Sequence, residues 1–173
     1  MKRIPDTIFI VKQKIGKMVQ IFRTSDNYEL HYRKFVNNNR KAIVFLHGIE
    51  SHSGWFTDIA QQLLNKNIDC YCIDRRGSGL NKEQRGHIAD YQILIEDVEE
   101  FITSIKAKYN KIFILGLSWG GKLAVCFTLK YPNLVNGIVL ISPGLFPKIR
   151  SSFITKTRIF IDSILHKEKG RRF

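Results

Sequence analysis

Four short apolar runs, separated by longer amphipathic segments, constrain the fold of this chain more strongly than any other feature. The runs lie at residues 42–46, 68–74, 111–117 and 135–144. Short runs that are mostly apolar, and unbroken in residues 42–46, are typical of strands that are buried on both faces of a sheet. They therefore predict strands that form the centre of the fold.

The segments between these runs predict helices. Apolar residues recur at helical spacing in residues 55–67, and similar patterns cover residues 90–108 and 119–132. The first of these stripes consists of Trp55, Ile59, Leu63 and Leu64. The resulting βαβαβαβ order implies an α/β fold, with a mostly parallel sheet, right-handed crossovers and helices on both faces.

The two ends of the chain follow other patterns. Residues 17–23 and 28–35 alternate loosely around the turn-forming residues 24–27, which predicts an antiparallel hairpin. Residues 146–173 resemble one amphipathic helix with a basic tail. We therefore expect one core over residues 1–145, followed by a separate terminal segment.

Composition bounds the class of protein. With 173 residues, 44% of them hydrophobic, the chain suits one globular domain, and no run reaches the ~18 apolar residues of a membrane span. The net charge of +13 favours anionic surfaces, but the basic residues lack the interleaved aromatics of a nucleic-acid site. Three cysteines without metal-ligand spacing suit a reducing cytoplasm and imply no metal.

The pentapeptide around Ser118 is the strongest chemical signal. It reads Gly-Leu-Ser-Trp-Gly and lies where an apolar run meets a predicted helix. Ligands in open α/β sheets bind at the carboxyl ends of the strands, and His47, Asp74 and Ser142 fall at the same edge as Ser118. The sequence therefore predicts the functional site at this edge.

A serine in this position has the local chemistry of a nucleophile. A sharp strand-to-helix turn needs small neighbours, which Gly116 and Gly120 provide. The first N–H of the helix, that of Trp119, can then stabilise an oxyanion. A second donor comes from the loop after an earlier strand, where Gly48 lets the backbone direct the Ile49 N–H to the same point.

Four motifs in order, FLHGIESHSGWF, CIDRRGSGLN, LGLSWGG and IVLISPG, resemble the α/β-hydrolase fold over about residues 20–145. They are most similar to its monoglyceride-lipase and lysophospholipase-like branch, which is grouped with the S33 serine aminopeptidases. The resemblance implies that Ser118 is the nucleophile and that Ile49 and Trp119 supply the oxyanion N–H groups. His47 would order the oxyanion loop, and no cofactor is implied.

The loop at residues 74–81 resembles the DxRGxGxS segment of that family, with two departures. Asn81 stands where serine is usual, and Ser78 stands where histidine is common. We expect this loop to be mainly structural, bracing the neighbouring active-site loops.

The catalytic base and acid are not evident. In the family order they follow the serine, where this chain offers Asp162 and His166, four residues apart on the terminal helix. We interpret that pair as surface residues at the start of a cap, while His52 remains an alternative base. The chain is thus expected to be C-terminally truncated, without the catalytic Asp and His.

These patterns lead to two hypotheses. The first is a serine hydrolase of lipid-like carboxylic esters, such as monoacylglycerols or lysophospholipids, nearly inert without its base; peptidase or thioesterase activity stays open because acyl chemistry is shared. The second is a non-catalytic lipid-binding or interaction protein, whose basic terminal helix contacts an anionic membrane surface. We also expect self-association or a complementing chain.

Overall fold

The computed structural model describes residues 18–145. The expected terminal segment at residues 146–173, with Asp162 and His166, lies outside the described residues. The strands are β1 (Val19–Arg23), β2 (Glu29–Phe35), β3 (Lys41–Leu46), β4 (Asp69–Ile73), β5 (Lys111–Leu117) and β6 (Gly137–Ile141). The helices are α1 (Thr57–Leu64), α2 (Tyr91–Lys106) and α3 (Trp119–Lys130).

All six strands form one sheet in the order β1-β2-β4-β3-β5-β6. The predicted hairpin is confirmed, because β1 pairs antiparallel with β2, which also pairs antiparallel with β4. The pairs β3–β4, β3–β5 and β5–β6 are parallel. The predicted α/β architecture is therefore present, with an antiparallel start joined to a parallel sheet.

The central strands are buried on both faces, as their unbroken apolar character predicts. Successive side chains of a strand point to opposite faces, so Val44 and Leu46 pack with α2 and α3 on one side. Phe45 and Cys72 pack with α1 on the other side. Cys72 and its neighbour Cys70 are fully buried and act as small core residues.

The first helix differs from its prediction. Residues Ser53–Phe56 form a 3-10 turn, and α1 begins only at Thr57. Trp55 and Ile59 are 66% and 42% exposed, whereas Phe56 and Ala60 are buried. The predicted stripe is wrong at its start, because a 3-10 turn has about three residues per turn and shifts the face that meets the sheet.

Candidate active site

The carboxyl ends of the parallel strands bring the predicted site residues to one edge of the sheet. His47 follows β3, Asp74 follows β4, Ser118 follows β5 and Ser142 follows β6. The described residues also enclose a cavity of about 390 Å³ at the opposite edge, around Asp69. None of the four residues at the carboxyl ends lines that cavity, so the candidate active site lies elsewhere.

Ser118 occupies a strained turn between β5 and α3. Its φ of 53° and ψ of −117° lie outside the regions that side chains other than glycine favour, which costs of order 1–3 kcal/mol. The turn is held because its N–H donates to the Ile141 carbonyl, while its own carbonyl accepts from Gly121 and Gly144, all at 3.0 Å. The serine side chain is left exposed.

The glycines around Ser118 are required by close packing. A Cβ at Gly116 would lie 2.6 Å from the Gly120 carbonyl oxygen, which is closer than real contacts allow. A Cβ at Gly120 would overlap the carbonyl oxygen of Leu46, at the end of β3. These two positions let α3 approach both β5 and β3, and so fix where the serine hydroxyl stands.

Two backbone N–H groups beside Ser118 have no acceptor within residues 18–145. They belong to Trp119, the first residue of α3, and to Ile49, in the loop after β3. That loop lies against the serine, since a Cβ at Gly48 would be 3.7 Å from Ser118 Oγ. Free N–H donors close to an exposed hydroxyl are what an oxyanion hole requires.

His47 is fully buried and uses both ring nitrogens to hold this loop. Nδ1 lies 2.7 Å from the Gly48 carbonyl oxygen and donates to it, while Nε2 accepts from the backbone N–H of Arg75 at 3.1 Å. Burial lowers the pKa of His47 to about 4, so the ring is neutral at pH 7. With both nitrogens engaged, it has no lone pair to act as a base.

Asp74 connects the loop after β4 to the mouth of the site. Its carboxylate accepts from the backbone N–H groups of Ser53 at 2.5 Å and Leu80 at 3.0 Å. The side chain of Asn81, one of the two departures from the family pattern, forms four hydrogen bonds. Its amide nitrogen donates to the carbonyls of Asp74 and Arg75, and its oxygen lies 2.9 Å from both the N–H and the Nδ1 of His31.

Arg76 anchors the same loop to the body of the protein. Its guanidinium contacts Asp97 Oδ1 and Asp26 Oδ2, both at 2.6 Å, and lies 4.1 Å from the centre of the Tyr28 ring. Asp97 is buried on α2, so the pair ties the loop to that helix. These contacts agree with the prediction that the loop is a brace.

No histidine of the described residues hydrogen-bonds the Ser118 hydroxyl. His52, the alternative base, is exposed, and its Nδ1 accepts from the Gly54 N–H in its own turn at 3.1 Å. Residues 18–145 also contain no cluster of three His, Cys, Asp or Glu side chains able to hold a metal. No helix in this range is long and apolar enough to cross a bilayer.

Sequence reasoning expects the arginines of this loop to brace the active-site loops but does not single out Arg75, whose contacts all lie at the active edge. Its Nη2 donates to the Gly48 carbonyl at 3.1 Å, and its guanidinium carbon lies 4.6 Å from the centre of the Trp119 ring. The order Arg-Arg-Gly does not distinguish it from Arg76. The two arginines are distinguished only in the folded sheet, where the carboxyl ends of β3, β4 and β5 lie together.

The chain is similar in sequence to a known family and to curated relatives. A family model described as serine aminopeptidase, S33, matches residues 37–169. Monoglyceride lipase of Homo sapiens is 31% identical over 106 residues, which cover 60% of this chain and 35% of that protein. A probable alcohol acetyltransferase of Wickerhamomyces anomalus is 30% identical over 148 residues, covering 80% of this chain and 41% of that protein.

Solved structures show the same fold. The monoacylglycerol lipase of Paleococcus ferrophilus aligns with a TM-score of 0.67 at 23% identity, over 80% of this chain and 52% of that one. A soluble variant of the Saccharomyces cerevisiae monoglyceride lipase, in complex with a substrate analog, aligns with a TM-score of 0.67 at 18% identity, over 85% and 51%. The chain spans 35% to 41% of the two curated relatives named above. It belongs to the S33 serine aminopeptidase family, on the α/β-hydrolase fold.

Proposed function

We propose that this chain carries the nucleophile and oxyanion hole of a serine hydrolase that acts on lipid-like carboxylic esters, such as monoacylglycerols or lysophospholipids. One observation carries the proposal. Ser118 is exposed on a strained turn, directly beside two backbone N–H groups that lack acceptors within residues 18–145. Strain of this kind persists where function needs a side chain held in one place.

In the proposed reaction, Ser118 Oγ attacks the acyl carbonyl and forms the new C–O bond. The N–H groups of Ile49 and Trp119 bind the oxyanion, the ester C–O bond breaks, and the alcohol leaves with a proton. Water then attacks the acyl-serine and releases the acid. The serine proton needs a base, which has to come from outside residues 18–145, either from another part of the polypeptide or from a complementing chain.

The lipid-like substrate is supported by the surface of the loop after β3. This loop exposes Ile49 by 63% and Trp55 by 66%, two large apolar side chains in the segment that follows β3. Such side chains suit an acyl chain or a membrane surface. Three proteins named above carry monoglyceride lipase or monoacylglycerol lipase in their own names.

Acylation by p-nitrophenyl butyrate and p-nitrophenyl palmitate tests the proposal. We expect intact-mass spectra of the 173-residue chain to show slow acyl transfer to Ser118, faster with the longer ester. Ser118→Ala removes the adduct, and Ser142→Ala, at the exposed serine after β6, keeps it. A wild-type spectrum identical to that of Ser118→Ala rejects the proposed function. Rapid turnover at pH 7 instead rejects the expectation that the 173-residue chain lacks a catalytic base.

A second candidate is a non-catalytic lipid-binding protein, favoured by the lack of a histidine at the Ser118 hydroxyl within the described residues. Co-sedimentation with anionic vesicles of phosphatidylserine and phosphatidylcholine separates the two. A chain that binds vesicles but gains no acyl adduct at any pH supports this second candidate.

A further inference from the structure

Two consecutive arginines lie in the loop after β4, and only one of them has a carboxylate partner within residues 18–145. Arg76 faces the carboxylates of Asp26 and Asp97, at 2.6 Å each. Arg75 forms no ion pair within residues 18–145, and its Nε is buried without a hydrogen-bond partner. Burial of a cation without a counterion is unfavourable, and it lowers the pKa of Arg75. The partners of the Arg75 guanidinium are instead a carbonyl and an aromatic ring, both at the edge of the sheet that carries Ser118.

The contacts of Arg75 converge on one peptide group. Nη2 donates to the Gly48 carbonyl oxygen, and the backbone N–H of Arg75 donates to His47 Nε2. The opposite ring nitrogen of His47 donates to the same Gly48 oxygen. The carbonyl of the Gly48–Ile49 peptide is thus held by two donors. One is the Arg75 guanidinium, and the other is the His47 ring, which the backbone N–H of Arg75 holds in place.

This fixes the direction of the Ile49 N–H. The chain has no cis peptide among the described residues, and in a planar trans peptide the N–H points away from the C=O. Two donors on the Gly48 oxygen therefore hold the Ile49 N–H on the opposite side. The same guanidinium lies 4.6 Å from the ring centre of Trp119, the residue that carries the other oxyanion N–H.

We propose that Arg75 is the positioning residue of the oxyanion hole: its guanidinium aligns the Gly48–Ile49 peptide, contacts Trp119 and places a positive charge without a carboxylate partner in residues 18–145 beside these two groups. This inference rests on the proposed function, since it concerns the same hole. It separates two roles of Arg75, a hydrogen bond to one carbonyl and a charge near the reacting centre.

The test is the rate at which a fluorophosphonate labels Ser118 at pH 9, where hydroxide can remove the serine proton. The phosphoryl oxygen of this reagent becomes negatively charged as the bond to Ser118 Oγ forms, and fluoride leaves. Removing one oxyanion donor costs about 100-fold or more, and losing its alignment costs less, so we expect Arg75→Gln to label about tenfold more slowly. Arg75→Lys keeps the charge and should recover about half of that loss on a logarithmic scale.

Arg85→Ala is the matched control. Arg85 is an exposed guanidinium of the neighbouring segment that bonds the carbonyls of Gly79 and Asn81 and does not touch the oxyanion loop. It should label at the wild-type rate. Thermal melting confirms that each variant is folded before its rate is compared.

The order parameter of the Ile49 N–H bond, read by 15N relaxation, provides a second measurement that needs no reaction. We expect Arg75→Gln to lower this order parameter and Arg85→Ala to leave it unchanged. Equal labelling by wild type and Arg75→Gln, or an equal loss in Arg75→Gln and Arg75→Lys, overturns the inference. If the folded wild type gains no label, the proposed function fails, and the Ile49 order parameter alone then decides: an unchanged value overturns the alignment, and a lower one supports it.

Discussion

The turn at Ser118 and the loop at residues 74–81 lie side by side, yet they are built on opposite principles. The turn carries a strained backbone, an exposed hydroxyl and two N–H groups without acceptors in the described residues. In the loop, Asp74, Arg76 and Asn81 are buried and bonded to several partners each. Strain and free donors are unfavourable by themselves, so the turn depends on a neighbour that is rigid and satisfied.

The difference separates the residues that stabilise this edge of the sheet from those that take part in the proposed chemistry. Changes in the loop should lower the free energy of unfolding and affect chemistry through misalignment. Changes at the turn should alter chemistry and leave stability unchanged or raised. The four predictions below test this division, beginning with the largest effect.

Arg76→Ala should have the largest effect on stability. It leaves the buried Asp97 carboxylate unpaired, and breaking a buried ion pair from one side costs about 3–5 kcal/mol. Urea denaturation measures the loss. Arg23→Ala is the control, because Arg23 and Glu29 form an exposed pair at 2.7 Å, and such pairs contribute about 1 kcal/mol or less. Similar losses in the two variants would contradict the bracing role of Arg76.

Asn81→Ala should follow, with a loss of about 2–3 kcal/mol. It leaves the His31 N–H and the Asp74 carbonyl without their side-chain partner, while the Arg75 carbonyl still accepts from the Ser78 N–H, and each unsatisfied buried group costs about 1–3 kcal/mol. Asn81→Ser, which introduces the residue usual in the family, keeps one hydroxyl and should lose less. A serine variant as stable as wild type would show that the amide is not needed.

His47 predicts a pH dependence of stability. Its pKa is about 4 in the fold and near 6.5 when unfolded, so between these values the unfolded chain binds a proton that the folded chain does not. Stability therefore falls as pH is lowered, by about 2 kcal/mol from pH 7 to pH 5 for this group. His47→Gln should flatten the profile relative to wild type, as measured by urea denaturation at each pH. An unchanged slope would refute the assignment of a neutral, doubly bonded ring.

Ser118→Gly should have the smallest effect and the opposite sign. Glycine tolerates positive φ, so the substitution relieves strain and should raise the free energy of unfolding by about 1 kcal/mol, while acylation is lost. Ser142→Gly, at φ 42° after β6, is a comparison at a second positive-φ serine. If Ser118→Gly is less stable than wild type, the strain argument at the turn is wrong.

The sequence predicts the sheet well because its central strands are buried on both faces, which leaves unbroken runs such as residues 42–46. It also predicts the strand-to-helix turn at Ser118, because two glycines and the junction of an apolar run with a helical pattern are local features. The start of α1 was mispredicted, since nothing in the spacing of Trp55 and Ile59 reveals a 3-10 turn. The sequence does not separate Arg75 from Arg76, because what distinguishes Arg75 is its contacts with the loop after β3 and with α3, which are distant in sequence.

The most direct test of the central claim is the pH profile of fluorophosphonate labelling at Ser118, followed by intact mass from pH 7 to pH 10. If Ser118 stands beside a formed oxyanion hole without a base in reach, the wild-type chain gains one adduct, at a rate that rises about tenfold per pH unit because hydroxide removes the proton. Ser118→Ala should gain none. A wild-type chain that is folded yet unlabelled at pH 10, or labelled equally with and without Ser118, would contradict the account.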